Sequence, residues 1–163
     1  MAEAVTIASA TDDKAARYAE LMPQLAALVD GEPDLVANLA NVTAALHTCL
    51  TRASWVGFYV LRGGELVLGP FQGNVACVRI ALGRGVCGTA AAERRTIVVP
   101  DVEQFPGHIA CDAGSRSEIV VPILRHGAVV GVLDVDSYEL AAFDEVDAIW
   151  LGRVAELAGA FAW

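Results

Sequence analysis

Residues 118–136 read EIVVPILRHGAVVGVLDVD, two apolar runs around the turn signal RHG (125–127). The pattern predicts a β-hairpin with strands at 118–124 and 128–136. Side chains two apart on a strand share a face, so Asp134 and Asp136 point the same way. Upstream, WVGFYVL (55–61) is too continuously apolar for a half-exposed strand and reads as one covered on both faces. RGGE (62–65) is a second hairpin signal, LVLGPF (66–71) returns as the partner strand, and Pro70 is expected to end it. Around these hairpins lie three helical stretches. Tyr18, Leu21, Leu25 and Leu28 recur at helical spacing over 14–29, Leu35, Leu39, Val42 and Leu46 follow the breaker GEP (31–33), and Val146 to Phe161 mark a closing helix over about 143–161. This order implies an α+β fold, a central antiparallel sheet with the N- and C-terminal helices packed on one face.

Between the hairpins runs a long glycine-broken segment, 72–117, with one short helix near 86–93 and one short strand, TIVV (96–99). Loop regions of that length are usually functional. The 163 residues suit a single domain spanning 1–163, with 1–13 frayed. At 55% apolar residues, disorder is excluded, and a net charge of −9 argues against nucleic acid or an anionic membrane as partner. No apolar run reaches the roughly 18–20 residues of a membrane span. The N-terminal stretch lacks the basic start and apolar core of a signal peptide. A cytoplasmic location is expected, where any disulfide would be transient and catalytic.

Cys49, Cys77, Cys87 and Cys111 are spaced by 28, 10 and 24 residues, without a CxxC. Cys49, in HTCL on an apolar helix, reads as structural. Cys87 in GRGVCGTAA lies near a helix N-terminus, where the dipole favours a thiolate. Cys111 lies in GHIACDAGSRSEI (107–119), a polar loop open to a substrate. Either could be the nucleophile. A zinc site from Cys77, Cys87, Cys111 and His108, and a Cys111–His108 hydrolase, are weaker alternatives, because paired ligands and a third orienting group are missing. Several loop thiols without a metal motif fit thiol redox chemistry, in which one thiolate is oxidised and a second resolves it as a disulfide.

The segments GPFQG (69–73), ACVRIALGRGVCGTAA (76–91), VPDVEQFPGHIACDAGSRSEIVVPI (99–123) and GVLDVDS (131–137) closely resemble the free methionine-(R)-sulfoxide reductases, enzymes on a GAF-domain scaffold. The resemblance covers nearly the whole chain and implies a GAF-like fold. It implies Cys111 as nucleophile, Cys77 as resolving cysteine, and Cys87 as an auxiliary thiol. Glu118 and Asp136 would handle the proton that makes the sulfoxide oxygen a leaving group. Asp134 would add a second charge and help hold the substrate ammonium. Trp55 and Tyr59 would wall the pocket, Asp101 would be a lesser substrate contact, and His108 a structural loop residue. The implied partners are free methionine-(R)-sulfoxide and a thioredoxin-type reductant, with a homodimer allowed and no cofactor or metal. A non-catalytic GAF sensor with redox-reporting cysteines is the rival reading.

Overall fold

The computed structural model describes residues 4–10, 12–109 and 111–163. Helices α1 (Lys14–Val29) and α2 (Leu35–Cys49) precede the hairpin of β1 (Trp55–Arg62) and β2 (Glu65–Gln72). The middle segment holds β3 (Arg79–Ala81), α3 (Gly85–Glu93), β4 (Ile97–Val99) and a 3₁₀ turn at Val102–Gln104. The second hairpin, β5 (Ser117–Arg125) and β6 (Ala128–Ser137), leads to α4 (Glu145–Gly159). The strands form one antiparallel sheet in the order β3-β2-β1-β6-β5-β4. The expected α+β fold is the observed one. No helix among the described residues is long and apolar enough to cross a membrane.

Helix starts follow from short acidic caps. Asp13, Asp34 and Asp144 accept backbone N–H bonds at the N-termini of α1, α2 and α4, and Asp147 completes a capping box on α4. Asp147 also accepts from the Tyr18 hydroxyl (2.9 Å) and pairs with Lys14, tying α4 to α1. Residues 4–10, read from sequence as frayed, run beside α1, where Thr6 N–H donates to Gln24 Oε1 (2.9 Å) and Ala8 N–H to Glu20 Oε2 (2.6 Å).

Period-two alternation divides the sheet into two faces with different work. Val56, Phe58 and Val60 of β1, Ile119, Val121 and Ile123 of β5, and Leu133 and Val135 of β6 pack against α1, α2 and α4. Their neighbours in sequence, Trp55, Tyr59, Val120 and Val132, face α3 and the middle segment in a second cluster. Strand β1 is therefore covered on both sides, as its unbroken apolar run predicts.

Two differences from the sequence reading have physical causes. Strand β2 does not end at Pro70, because the β1–β2 register shifts between Gly57 and Tyr59, and Gly69 and Pro70 fall in the resulting irregularity, where a missing N–H breaks no ladder. Strand β3 was not expected, since three residues with a single buried position, Ile80, are too short to show alternation. Both hairpin turns, Gly63–Gly64 and His126–Gly127, have positive φ at each central residue, as tight two-residue turns require.

Candidate active site

A cavity lies on the sheet face opposite α1, α2 and α4, lined among others by Trp55, Tyr59, Cys87, Cys111, Glu118 and Asp134. Its floor is set by strand register. Glu118 of β5 faces Asp136 of β6, which faces Trp55 of β1. One step along, Asp134 faces Gly57. Gly57 has no side chain for a packing reason, because a Cβ there would lie 2.5 Å from Trp55 Cη2 and 2.5 Å from Phe71 Cβ. The Trp55 indole occupies that space, stacks on Phe71 (5.4 Å between centroids) and neighbours Tyr59 (6.1 Å).

The roof comes from the middle segment. A disulfide joins Cys77 to Cys111, with Cα atoms 5.3 Å apart. Cys111 lines the cavity and Cys77 is not among its lining residues. Tyr59 Oη–H donates to the Cys77 carbonyl (3.0 Å), and Trp55 Nε1–H to the Asn74 carbonyl (3.0 Å), so two floor residues hold the Cys77 loop. Asn74 Nδ2 and the Tyr138 hydroxyl both donate to Asp112 Oδ2, at 3.2 and 2.8 Å. The two cysteine-bearing loops are thereby joined by hydrogen bonds as well as by the disulfide.

Two of the three carboxylates are sunk, and Asp136 is half-buried. Glu118 and Asp134 are each 6% exposed. Burial, then the charges of Asp134 and Asp136, push Glu118 well above the usual carboxylate range. Asp136 is pushed well up in the same way, first by burial and then by Asp134, against a hydrogen bond with Ser115 that lowers it. Asp134 is pushed up to about 7 by burial, opposed by the polar groups of Cys87, Glu118 and the Val135 backbone beside it. The cluster therefore holds protons into the neutral pH range. Asp134 Oδ1 has no hydrogen-bond partner of its own.

Cys87 departs from the sequence expectation. It sits in the first turn of α3, but burial and then Asp134 and Glu118 push its thiol well up, and its Sγ lies 4.0 Å from Glu118 Oε1. Desolvation and two carboxylates outweigh a helix dipole worth only about 0.3–1 kcal/mol at a surface site. Cys49 is buried in the helix-facing core, as its local sequence implies, and burial pushes it up to about 11.

Asp101 is also corrected. It is not among the cavity-lining residues, and its carboxylate caps the 3₁₀ turn by accepting from Glu103 N–H (3.1 Å). His108 moves the other way. Read as a loop residue, it lines the cavity with Nε2 3.7 Å from Glu118 Oε2, and desolvation lowers its pKa, favouring the neutral ring. Arg84, Asp112 and Ser115 line the cavity too and were not singled out from sequence. The signal for the last two was their place in the Cys111 loop, within the same polar run.

Fold and site together define a GAF domain carrying a disulfide over a largely buried carboxylate cluster. Residues 32–161 match the family model of the GAF domain. The chain is 51% identical over 130 residues to the free methionine-R-sulfoxide reductase of Escherichia coli K12, covering 80% of this chain and 79% of that one. It is 51% identical over 158 residues to GAF domain-containing protein A of Dictyostelium discoideum, covering 96% and 98% of the two chains. The crystal structure of free methionine-R-sulfoxide reductase from Neisseria meningitidis in complex with its substrate superimposes with a TM-score of 0.92 at 51% identity, covering 96% of this chain and 93% of that one. The chain belongs to the GAF-domain family and, within it, to the free methionine-R-sulfoxide reductases.

Proposed function

We propose that the protein, as one GAF domain over 1–163, reduces free L-methionine-(R)-sulfoxide to L-methionine and is reset by a thioredoxin-type dithiol in the cytoplasm, alone or as a homodimer. One observation carries the reading: the Cys77–Cys111 disulfide stands at a cavity whose floor is a proton-holding carboxylate cluster.

The cycle starts with the disulfide reduced. The Cys111 thiolate attacks the sulfoxide sulfur, which is electrophilic, while Glu118 or Asp136 gives its proton to the sulfoxide oxygen. In the adduct the hydroxyl passes to Cys111 Sγ as the new sulfur–sulfur bond and the methionine S–O bond break, so methionine leaves with the sulfur electron pair and Cys111 is left as a sulfenic acid. The Cys77 thiol then attacks Cys111 Sγ, forming the disulfide and releasing water. An external dithiol reduces that bond and is itself oxidised. The roles fit the placement of each sulfur, since Cys111 lines the cavity and Cys77 reaches it from outside the lining. The carboxylate cluster suits the substrate ammonium, and Trp55 and Tyr59 suit its thioether end.

The test is turnover of the separate R and S sulfoxides of free methionine with thioredoxin, its reductase and NADPH. The expected result is NADPH oxidation with the R epimer alone and its loss in Cys111→Ser. Equal turnover of both epimers, or full activity in Cys111→Ser, overturns the proposal.

A further inference from the structure

We infer that Cys87, Glu118 and Asp134 form a binding site for a thiophilic divalent cation of the zinc or cadmium type, and that such an ion occupies the floor of the cavity in competition with substrate. The ligand atoms of these three residues lie within 4.8 Å of one another, and all three residues are buried. A tetrahedral zinc ion with Zn–S near 2.3 Å and Zn–O near 2.0–2.2 Å places its ligand atoms roughly 3.5 Å apart, so small side-chain rotations close the set.

A second observation points to a ligand here. Asp134 Oδ1 is sealed from solvent without a hydrogen-bond partner, in a residue that lines the cavity and is more than nine-tenths buried. A cation supplies what that oxygen lacks. His108 Nε2 lies 3.7 Å from Glu118 Oε2, at the edge of this set.

The donor set selects the ion. Binding replaces the Cys87 S–H bond by a sulfur–metal bond and releases that proton to water, with no change in oxidation state. One thiolate and two carboxylates then surround a +2 ion. The thiolate favours zinc and cadmium over magnesium and calcium, which prefer all-oxygen shells. Binding does not depend on the catalytic proposal, whereas the competition with substrate rests on it.

The experiment uses the full chain with the Cys77–Cys111 disulfide intact, so that Cys49 and Cys87 are the remaining thiols. Cadmium is titrated while the ultraviolet thiolate-to-cadmium charge-transfer band is recorded, and zinc, magnesium and calcium are added as competitors. The expected result is a saturable band with one ion per chain, displaced by zinc and unaffected by magnesium or calcium. The band persists in Cys49→Ala, disappears in Cys87→Ser, and needs roughly tenfold more cadmium in Asp134→Asn. Near-ultraviolet circular dichroism verifies that each variant is folded, and Cys87→Ala serves if the serine variant is not. Absence of the band in the wild type, its survival in both Cys87 variants, or displacement by magnesium overturns the inference. Turnover of free methionine-(R)-sulfoxide is assayed in parallel without metal. Turnover without a band removes the cation site and leaves the catalytic reading, and a band without turnover removes the catalytic reading together with the competition and leaves the cation site.

Discussion

Glu118 and Asp136 are direct cross-strand partners in the β5–β6 pairing, and both carboxyls are held well above their usual pKa range. Like charges placed directly opposite each other destabilise a sheet, so the Asp136 charge favours the proton on Glu118, while Asp136 itself is raised by burial and then by Asp134.

A stability profile follows. Both groups and Asp134 have folded-state pKa values above their unfolded ones, so between those values the folded chain binds more protons than the unfolded chain. Stability then falls as pH rises from the ordinary carboxylate range, near 4, towards and through the raised values. For Asp134 that window ends at about 7. Asp134→Asn is expected to flatten the decline and to gain on the order of 2 kcal/mol relative to wild type at pH 8 over pH 4. Denaturant melts at the two pH values check this, and an unchanged slope counts against it.

Glu118→Gln keeps the size of the side chain and removes its transferable proton. The expected effect is a fall in kcat of roughly 10²–10⁴ with KM changed much less. Single-turnover release of methionine from the reduced enzyme is the measurement. A fall in KM-linked binding without loss of kcat would assign Glu118 to substrate binding instead.

Gly57→Ala tests the floor without touching a reacting group. The new Cβ has no room beside Trp55 and Phe71, and Phe71 Cβ is anchored to its backbone, so the indole must move. A stability loss of about 1–3 kcal/mol is expected, with a shifted tryptophan fluorescence maximum and weaker substrate binding. Wild-type fluorescence and KM in this variant would show that Trp55 is not held by this contact.

Tyr138→Phe deletes one hydroxyl from the bridge between the loops of Cys77 and Cys111. Tyr138 lies close over Gly114, where a Cβ would meet its ring at 2.8 Å, so the ring position is set by packing as well as by Asp112. The first chemical step is expected to proceed at wild-type rate while disulfide closure slows several-fold. Trapping the Cys111 sulfenic acid with dimedone should then give more adduct than in wild type. Equal adduct in both proteins would place the hydroxyl outside the closure step.

Most of the sheet was legible because its strands carry strong patterns. EIVVPIL, AVVGVLDVD and WVGFYVL each declare a strand by length and apolarity, and RGGE and RHG supply turns that the backbone uses. Strand β3 was hidden, since Arg79 and Ala81 flank one buried residue and its pairing with β2 is a tertiary matter. The shared face of Asp134 and Asp136 was readable from spacing alone, but their meeting with Glu118 and Cys87 needed the register of three elements. The same distance from sequence explains Cys87, because local sequence showed a helix start and only the fold shows the carboxylates above it. His108 was underrated for the opposite reason, since its nearness in sequence to Cys111 suggested a pairing that the loop directs towards Glu118.

Strand β6 writes two messages in alternate letters. Leu133 and Val135 belong to the layer that holds α1, α2 and α4, and Asp134 and Asp136 to the cavity. A slip of one residue against β5 or β1 would drive both aspartates into that helix-facing layer and turn both aliphatic side chains out over the site. The register that assembles the chemistry is therefore also the one that burial of the aliphatic side chains favours over a one-residue slip.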